Sequence, residues 1–98
     1  MEIMKQINQF VEERDWEQYH NAKDLAISIS LEAAELLEIY QWRQPEEVPE
    51  SEQEHLKEEI ADVLIYTMML ADKLGFDIDT IIREKIKKNA EKYPIPPQ

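Results

Sequence analysis

With 98 residues, 43% of them hydrophobic, a formal charge of −11 and no cysteine, the chain has a globular balance and offers neither a disulfide framework nor a thiolate metal site. The acidic excess argues against a nucleic-acid polymer as partner, since phosphates are met by Lys and Arg, and no apolar run approaches the ~20 residues that span a bilayer. The start, MEIMKQINQF, lacks the basic region and apolar block of a signal peptide, so a cytoplasmic protein without a membrane partner is expected.

Glycine occurs once, and proline is confined to Pro45, Pro49, Pro94, Pro96 and Pro97; between these breaks the apolar period is helical. The first segment carries Ile3, Ile7, Phe10 and Val11 on one stripe that ends at Arg14. A second helix runs from Asn21, a good N-cap, to about Gln41, and it is apolar almost all round, as a buried central helix would be. After the loop QWRQPEEVPE, Ser51 and Glu54 read as a capping box opening a third helix that runs to Leu74, with Gly75 as its stop. In that helix Leu56, Ile60, Val63, Leu64, Thr67 and Leu70 define the core direction, with Glu59, Asp62 and Tyr66 on a stripe at its edge. Asp77 caps a fourth helix whose Ile78, Ile81, Ile82, Ile86 and Ala90 face inward, and Pro94 ends it. With no alternating strand pattern, the expectation is an all-α, four-helix bundle over residues 1–98, one domain, with the second and third helices at its centre. A chain of this length buries only about 60–65% of its unfolded surface, so completion of the core by self-association is expected.

Acidic residues sit inside the most apolar sequence. In ISISLEAAELLEIYQW, Glu32 and Glu35 are three apart and share a helix face; in EEIADVLIYTMML, Glu59 and Asp62 repeat the spacing. Antiparallel packing of the two helices brings the pairs together, and four converging carboxylates repel one another unless protons or cations intervene. Oxygen-only ligands suit a hard cation such as Mg²⁺. The plain alternative is a set of solvated surface acids. It suffices for Glu46, Glu47, Glu50, Glu52 and Glu54; it explains less well two paired motifs in the two most apolar helices.

These motifs resemble those of the MazG-like nucleoside triphosphate pyrophosphohydrolases, in particular the dCTP pyrophosphatase branch. The resemblance runs from about residue 10 to 94: E-x-x-E and E-x-x-D separated by 23 residues, the stretch with Arg14, Trp16, His20, Lys23 and Trp42, the second motif with Tyr66, and a C-terminal Lys85, Asn89, Lys92, Tyr93, Pro94 pattern. It implies a MazG-type fold and hydrolysis of a (deoxy)nucleoside triphosphate, dCTP or a modified nucleotide, to the monophosphate and pyrophosphate, as in sanitation of a nucleotide pool. It further implies Mg²⁺, or Mn²⁺ in its place, on Glu32, Glu35, Glu59 and Asp62, where it polarises the α-phosphate. Glu35 and Glu32 are the candidate catalytic acids, Glu35 being the choice to orient or deprotonate the attacking water. Lys85 and Lys92 would neutralise the β and γ phosphates, with Asn89 as a neutral donor. Trp16, Trp42 and Tyr66 would form a base platform, His20 would touch base or sugar, and Lys23 completes the substrate set. The expected assembly is a homodimer or homotetramer with the sites near the interface. Two other classes compete. A di-iron carboxylate bundle needs two Glu-x-x-His motifs, and the chain has one, Glu52 and His55, at an exposed helix start. A non-catalytic helical dimerisation or adaptor module would use the acids for solubility alone.

Overall fold

The computed structural model describes residues 2–97, and among them the regular structure is entirely helical. Helix α1, Glu2–Glu13, buries Met4, Ile7 and Val11 and leaves Ile3 and Phe10 about half exposed on its flank. A single 3-10 turn, Glu17–Tyr19, leads to α2, Ala22–Tyr40. Asn21 starts α2 as its sequence suggests: its side-chain oxygen accepts from the Asp24 amide at 2.8 Å, satisfying one of the donors that a helix N-terminus leaves free.

The connection to α3 is held by Arg43. Its guanidinium donates to the Ile39 carbonyl at 3.0 Å and to both Glu52 carboxylate oxygens, at 2.7 and 3.3 Å, so the loop is tied back onto the end of α2. Helix α3, Gln53–Lys73, follows a 3-10 turn over Glu50–Glu52, and at 21 residues it is about 32 Å long. The expected Ser51 and Glu54 capping box is absent, because Ser51 lies inside that turn and the residue before the helix, Glu52, makes no side-chain cap. A comparable contact forms earlier, where the Glu47 carboxylate accepts from the Gln44 amide at 2.9 Å beside Pro45. Gly75 adopts φ +77°, a left-handed conformation that glycine takes without a Cβ penalty, and it turns the chain out of α3. Asp77 then caps α4, Ile78–Lys92, accepting from the Thr80 amide at 3.0 Å.

Helices α2 and α3 make the main interface, and they run antiparallel: Arg43 meets Glu52 at one end, Glu32 meets Glu59 and Asp62 in the middle, and Leu25 joins Met69 in the core at the other. That core holds Met4, Ile7 and Val11 of α1 with Leu25 and Met69, flanked by Tyr66, Met68, Leu70 and Ile78.

Three burial expectations are corrected. Within α2 only Leu25 and Ile39 are buried, while Leu31 and Leu37 are 60% and 68% exposed. On α3 the inward stripe is Glu59, Asp62, Tyr66 and Met69, whereas Ile60, Leu64 and Thr67 point outward. On α4 no residue is buried, and Ile81, Ile82, Ile86 and Ala90 are exposed, with only Ile78 against the core. One physical reason covers all three. Periodicity identifies the most apolar face of a helix, but a single 98-residue chain has too few layers to cover every such face. Among the described residues no helix is long and apolar enough to cross a membrane.

Candidate functional site

The antiparallel register of α2 and α3 converts two sequence spacings into one cluster. Glu32, Glu59 and Asp62 each offer a carboxylate oxygen, and the three oxygens lie within 4.8 Å of one another. Glu59 is buried and Glu32 and Asp62 are partly so. Two carboxylate oxygens of these residues, Glu32 Oε2 and Glu59 Oε2, are buried without a hydrogen-bond partner. An unpartnered buried carboxylate oxygen is costly, and native structures retain such groups where a ligand or ion meets them. The three clustered carboxylates offer oxygen ligands, and this donor set fits a hard divalent cation.

The electrostatics follow from the same crowding. Burial pushes the Glu32 carboxyl up from its ordinary 4.5 to about 7, helped by the neighbouring Glu59, Glu35 and Asp62. The phenol of Tyr66 is also pushed up, by burial first and then by Glu32 and Asp62. Glu35 stands outside the three-oxygen cluster: it is exposed on α2 and acts on Glu32 through its charge. His55, exposed near the start of α3, has Nε2 3.3 Å from Glu59 Oε1, one helical turn away. The i, i+4 spacing of His55 and Glu59 sets this contact.

Beside the acids opens a cleft of about 450 Å³, within the usual range for small-molecule sites, and Asp62 belongs to both. Its walls come from α1 (Ile3, Phe10), from the segment after it (Trp16, His20) and from α3 (Ile65, Tyr66, Met69). It is thus an apolar, aromatic pocket with a carboxylate at one side. Trp16 meets Phe10 edge to face, with centroids 5.5 Å apart, and His20 Nδ1 is a further buried atom without a partner. Of the residues singled out from the sequence, Trp16, His20, Tyr66 and Asp62 come together here. Lys23, Lys85, Asn89 and Lys92 are exposed and line no part of the cleft. Trp42 is also outside it: the ring is 92% exposed, on a residue at φ +67°, a backbone conformation that bulky side chains rarely adopt. Ile3 and Phe10 were missed as cleft residues because their spacing reads as an ordinary apolar stripe, and Ile65 lies off the core stripe expected for α3; only the tertiary placement of α1 across α3 shows the gap between them.

The chain is similar to known proteins over most of its length. The chain is 36% identical over 92 residues to dCTP pyrophosphatase 1 of Mus musculus, and 35% identical over 91 residues to that of Homo sapiens. These alignments cover 89% and 88% of the chain but 54% of each relative, so the chain spans about half the length of the curated relatives it matches. A crystal structure of a pyrophosphatase from Archaeoglobus fulgidus superposes with a TM-score of 0.88 at 43% identity, covering 96% of this chain and 91% of that one. The family model of the MazG-like proteins matches residues 27–98, which include the carboxylate cluster on α2 and α3. The chain belongs to the MazG-like family.

Proposed function

We propose that this chain is a Mg²⁺-dependent nucleoside triphosphate pyrophosphohydrolase that cleaves a (deoxy)nucleoside triphosphate between its α and β phosphates. The observation that carries this reading is the joint placement of Glu32, Glu59 and Asp62, with two orphaned buried oxygens, at the side of an aromatic cleft. Acids that served only solubility would stay hydrated, and an adaptor module has no use for unpartnered carboxylate oxygens next to an open pocket. The relatives named dCTP pyrophosphatase make dCTP, or a modified pyrimidine nucleotide, the first substrate to try.

Glu32, Glu59 and Asp62 would hold the cation, with Glu35 at the rim of the cluster. A divalent ion bound there supplies Lewis acidity toward a phosphoryl oxygen and offsets the charge of the acids. The chain's own groups do the rest. Trp16 and Tyr66 enclose the base, and His20 would bond base or sugar through its unpartnered Nδ1. Glu35, exposed beside the cluster, is the candidate to orient the attacking water.

Lys85, Asn89, Lys92 and Trp42 lie outside the cleft of their own chain, and their proposed part in substrate binding goes with a symmetric homodimer or homotetramer. Support comes from the free apolar faces: Leu31 and Leu37 on α2, Ile60 and Leu64 on α3, Ile82 and Ile86 on α4. Exposed apolar faces of this kind are expected at association sites. The reading places the protein in the cytoplasm with its nucleotides.

The test is purified protein with Mg²⁺ and a panel of ribo- and deoxynucleoside triphosphates, scored separately for pyrophosphate and orthophosphate. Pyrophosphate is the expected product. Orthophosphate as the first product, or no hydrolysis of any nucleotide, overturns the reading.

A further inference from the structure

Where α1 passes into the segment that joins it to α2, Arg14, Phe10 and Trp16 form a three-membered chain of contacts. The Arg14 guanidinium carbon lies 3.7 Å from the centroid of the Phe10 ring, and its Nη1 donates to the Phe10 carbonyl at 3.1 Å. Phe10 in turn meets the Trp16 indole at 5.5 Å with the rings inclined at 76°. The contact between Arg14 and the Glu13 carboxylate is long, 3.9 Å, so the ring and the carbonyl fix the guanidinium, not an ion pair.

The backbone serves the same end. Asp15 sits at φ +55°, in the left-handed region that glycine favours and that Asp, with its short polar side chain, enters more readily than most residues. Its amide donates to the Glu12 carbonyl at 3.0 Å, and the Trp16 amide reaches back to the Val11 carbonyl at 3.1 Å. This turn closes α1 and folds the chain back so that Trp16 lands against Phe10. Both rings then line the cleft, with Asp62 on α3 also in its wall.

Hydrophobic burial alone does not explain the arrangement. Phe10 and Trp16 remain 47% and 43% exposed in a chain short of core, and the stack leaves them facing an open cleft. An indole fixed before ligand arrives loses little rotamer freedom when a ring stacks on it, which is the general advantage of a preorganised wall.

We propose that Arg14 and Phe10 are positioning residues for Trp16, the guanidinium and the ring together holding the indole as a fixed wall of the cleft against which the substrate's base stacks. This rests on the nucleotide reading given above. Arg14 acts through Phe10, and Phe10 acts by contact with Trp16. The effect falls on substrate binding and leaves the carboxylate cluster, which lies on α2 and α3, as it was.

Two measurements test it. In a Trp42→Phe background Trp16 is the sole tryptophan, and acrylamide quenching of its emission reports how firmly it is held. Arg14→Ala and Phe10→Leu are expected to raise quenching, while Arg14→Lys, which keeps a cation over the ring, and Phe10→Tyr, which keeps the ring, stay near the parent. With Trp42 intact, Arg14→Ala and Phe10→Leu are expected to raise KM about two- to tenfold, the range for losing a cation–π or aromatic pair, with kcat within twofold. Unchanged quenching in both variants overturns the proposal. So does freed Trp16 with unchanged KM, which would make the stack a purely structural device. If Phe10→Leu loses its helical circular dichroism, the comparison of Arg14→Ala with Arg14→Lys decides alone, since the Arg14 side chain is 44% exposed and its loss leaves the core intact. If the parent hydrolyses no nucleotide, the function fails but the stack is still judged, by quenching and by the affinity for cytidine read from Trp16 emission.

Discussion

Neutralising Glu32 should stabilise the metal-free protein, and by an amount that depends on pH. The carboxyl is pushed up to about 7 from 4.5, first by burial and then by Glu59, Glu35 and Asp62. In the unfolded chain it titrates near 4.3. A carboxyl raised in the folded state favours folding fully only below its unfolded value, where it is protonated in both states; the advantage is lost as pH rises through the unfolded value to about 7. At ~1.4 kcal/mol per pH unit the full shift sets a ceiling of about 3.5 kcal/mol. Glu32 is only partly buried, and solvent screening brings the working figure to about 1–2 kcal/mol. Glu32→Gln keeps the shape and removes the charge. In EDTA at pH 8 it should melt about 5–15 °C above the parent, at roughly 4–8 °C per kcal/mol for a domain of this size. At pH 4.5 the gap should nearly close. Excess Mg²⁺ should lift the parent by about 2.7 kcal/mol at a hundredfold excess over Kd, and the Gln variant by less. Thermal melts followed by circular dichroism at the two pH values, with and without Mg²⁺, give all these numbers. A gap of equal size at both pH values, or a parent that melts higher than Glu32→Gln in EDTA at pH 8, refutes the electrostatic account of the cluster.

Gly75→Ala should cost about 1–2 kcal/mol through its left-handed backbone alone, because a Cβ there meets nothing within 4 Å; chemical denaturation measures it, and a neutral result would mean the turn relaxes. Leu64→Asp or Ile86→Asp, each on a free apolar face, should yield monomers by sedimentation at a concentration where the parent associates, with helicity retained; a parent that is monomeric at micromolar concentration removes the association claim. Trp16→Ala should weaken nucleotide binding by about 1–3 kcal/mol, read by calorimetry, and unchanged affinity in a folded variant takes Trp16 out of the site.

Much of the fold could be read from local chemistry. Asn21 and Asp77 cap the helices they were expected to cap, and Gly75 stops α3, because caps and left-handed turns are decided by the residue itself. The convergence of Glu32 with Glu59 and Asp62 was also legible, since spacing fixes the helix face and antiparallel packing fixes the register. The start of α3 was not, because Pro49 leads into a 3-10 turn that places Ser51 before the helix proper. The inward face of α3 was assigned to Ile60 and Leu64, yet within the chain it belongs to Glu59, Asp62 and Met69. Hydrophobicity ranks the faces of a helix, and it does not say whether the same chain or another molecule covers the most apolar one. The cleft was illegible for a related reason: it is a gap between α1 and α3, and no residue pattern encodes a gap.

The most direct test of the central claim is product analysis of dCTP hydrolysis in ¹⁸O-labelled water with Mg²⁺, comparing the parent with Asp62→Asn. The parent should give dCMP and pyrophosphate one for one, with the label in the monophosphate if water attacks the α-phosphorus. Asp62→Asn should retain its helical fold and lose most of the rate, since Asp62 belongs to both the carboxylate cluster and the cleft. Orthophosphate as the primary product, an equal rate in excess EDTA, or a fully active Asp62→Asn would contradict the account.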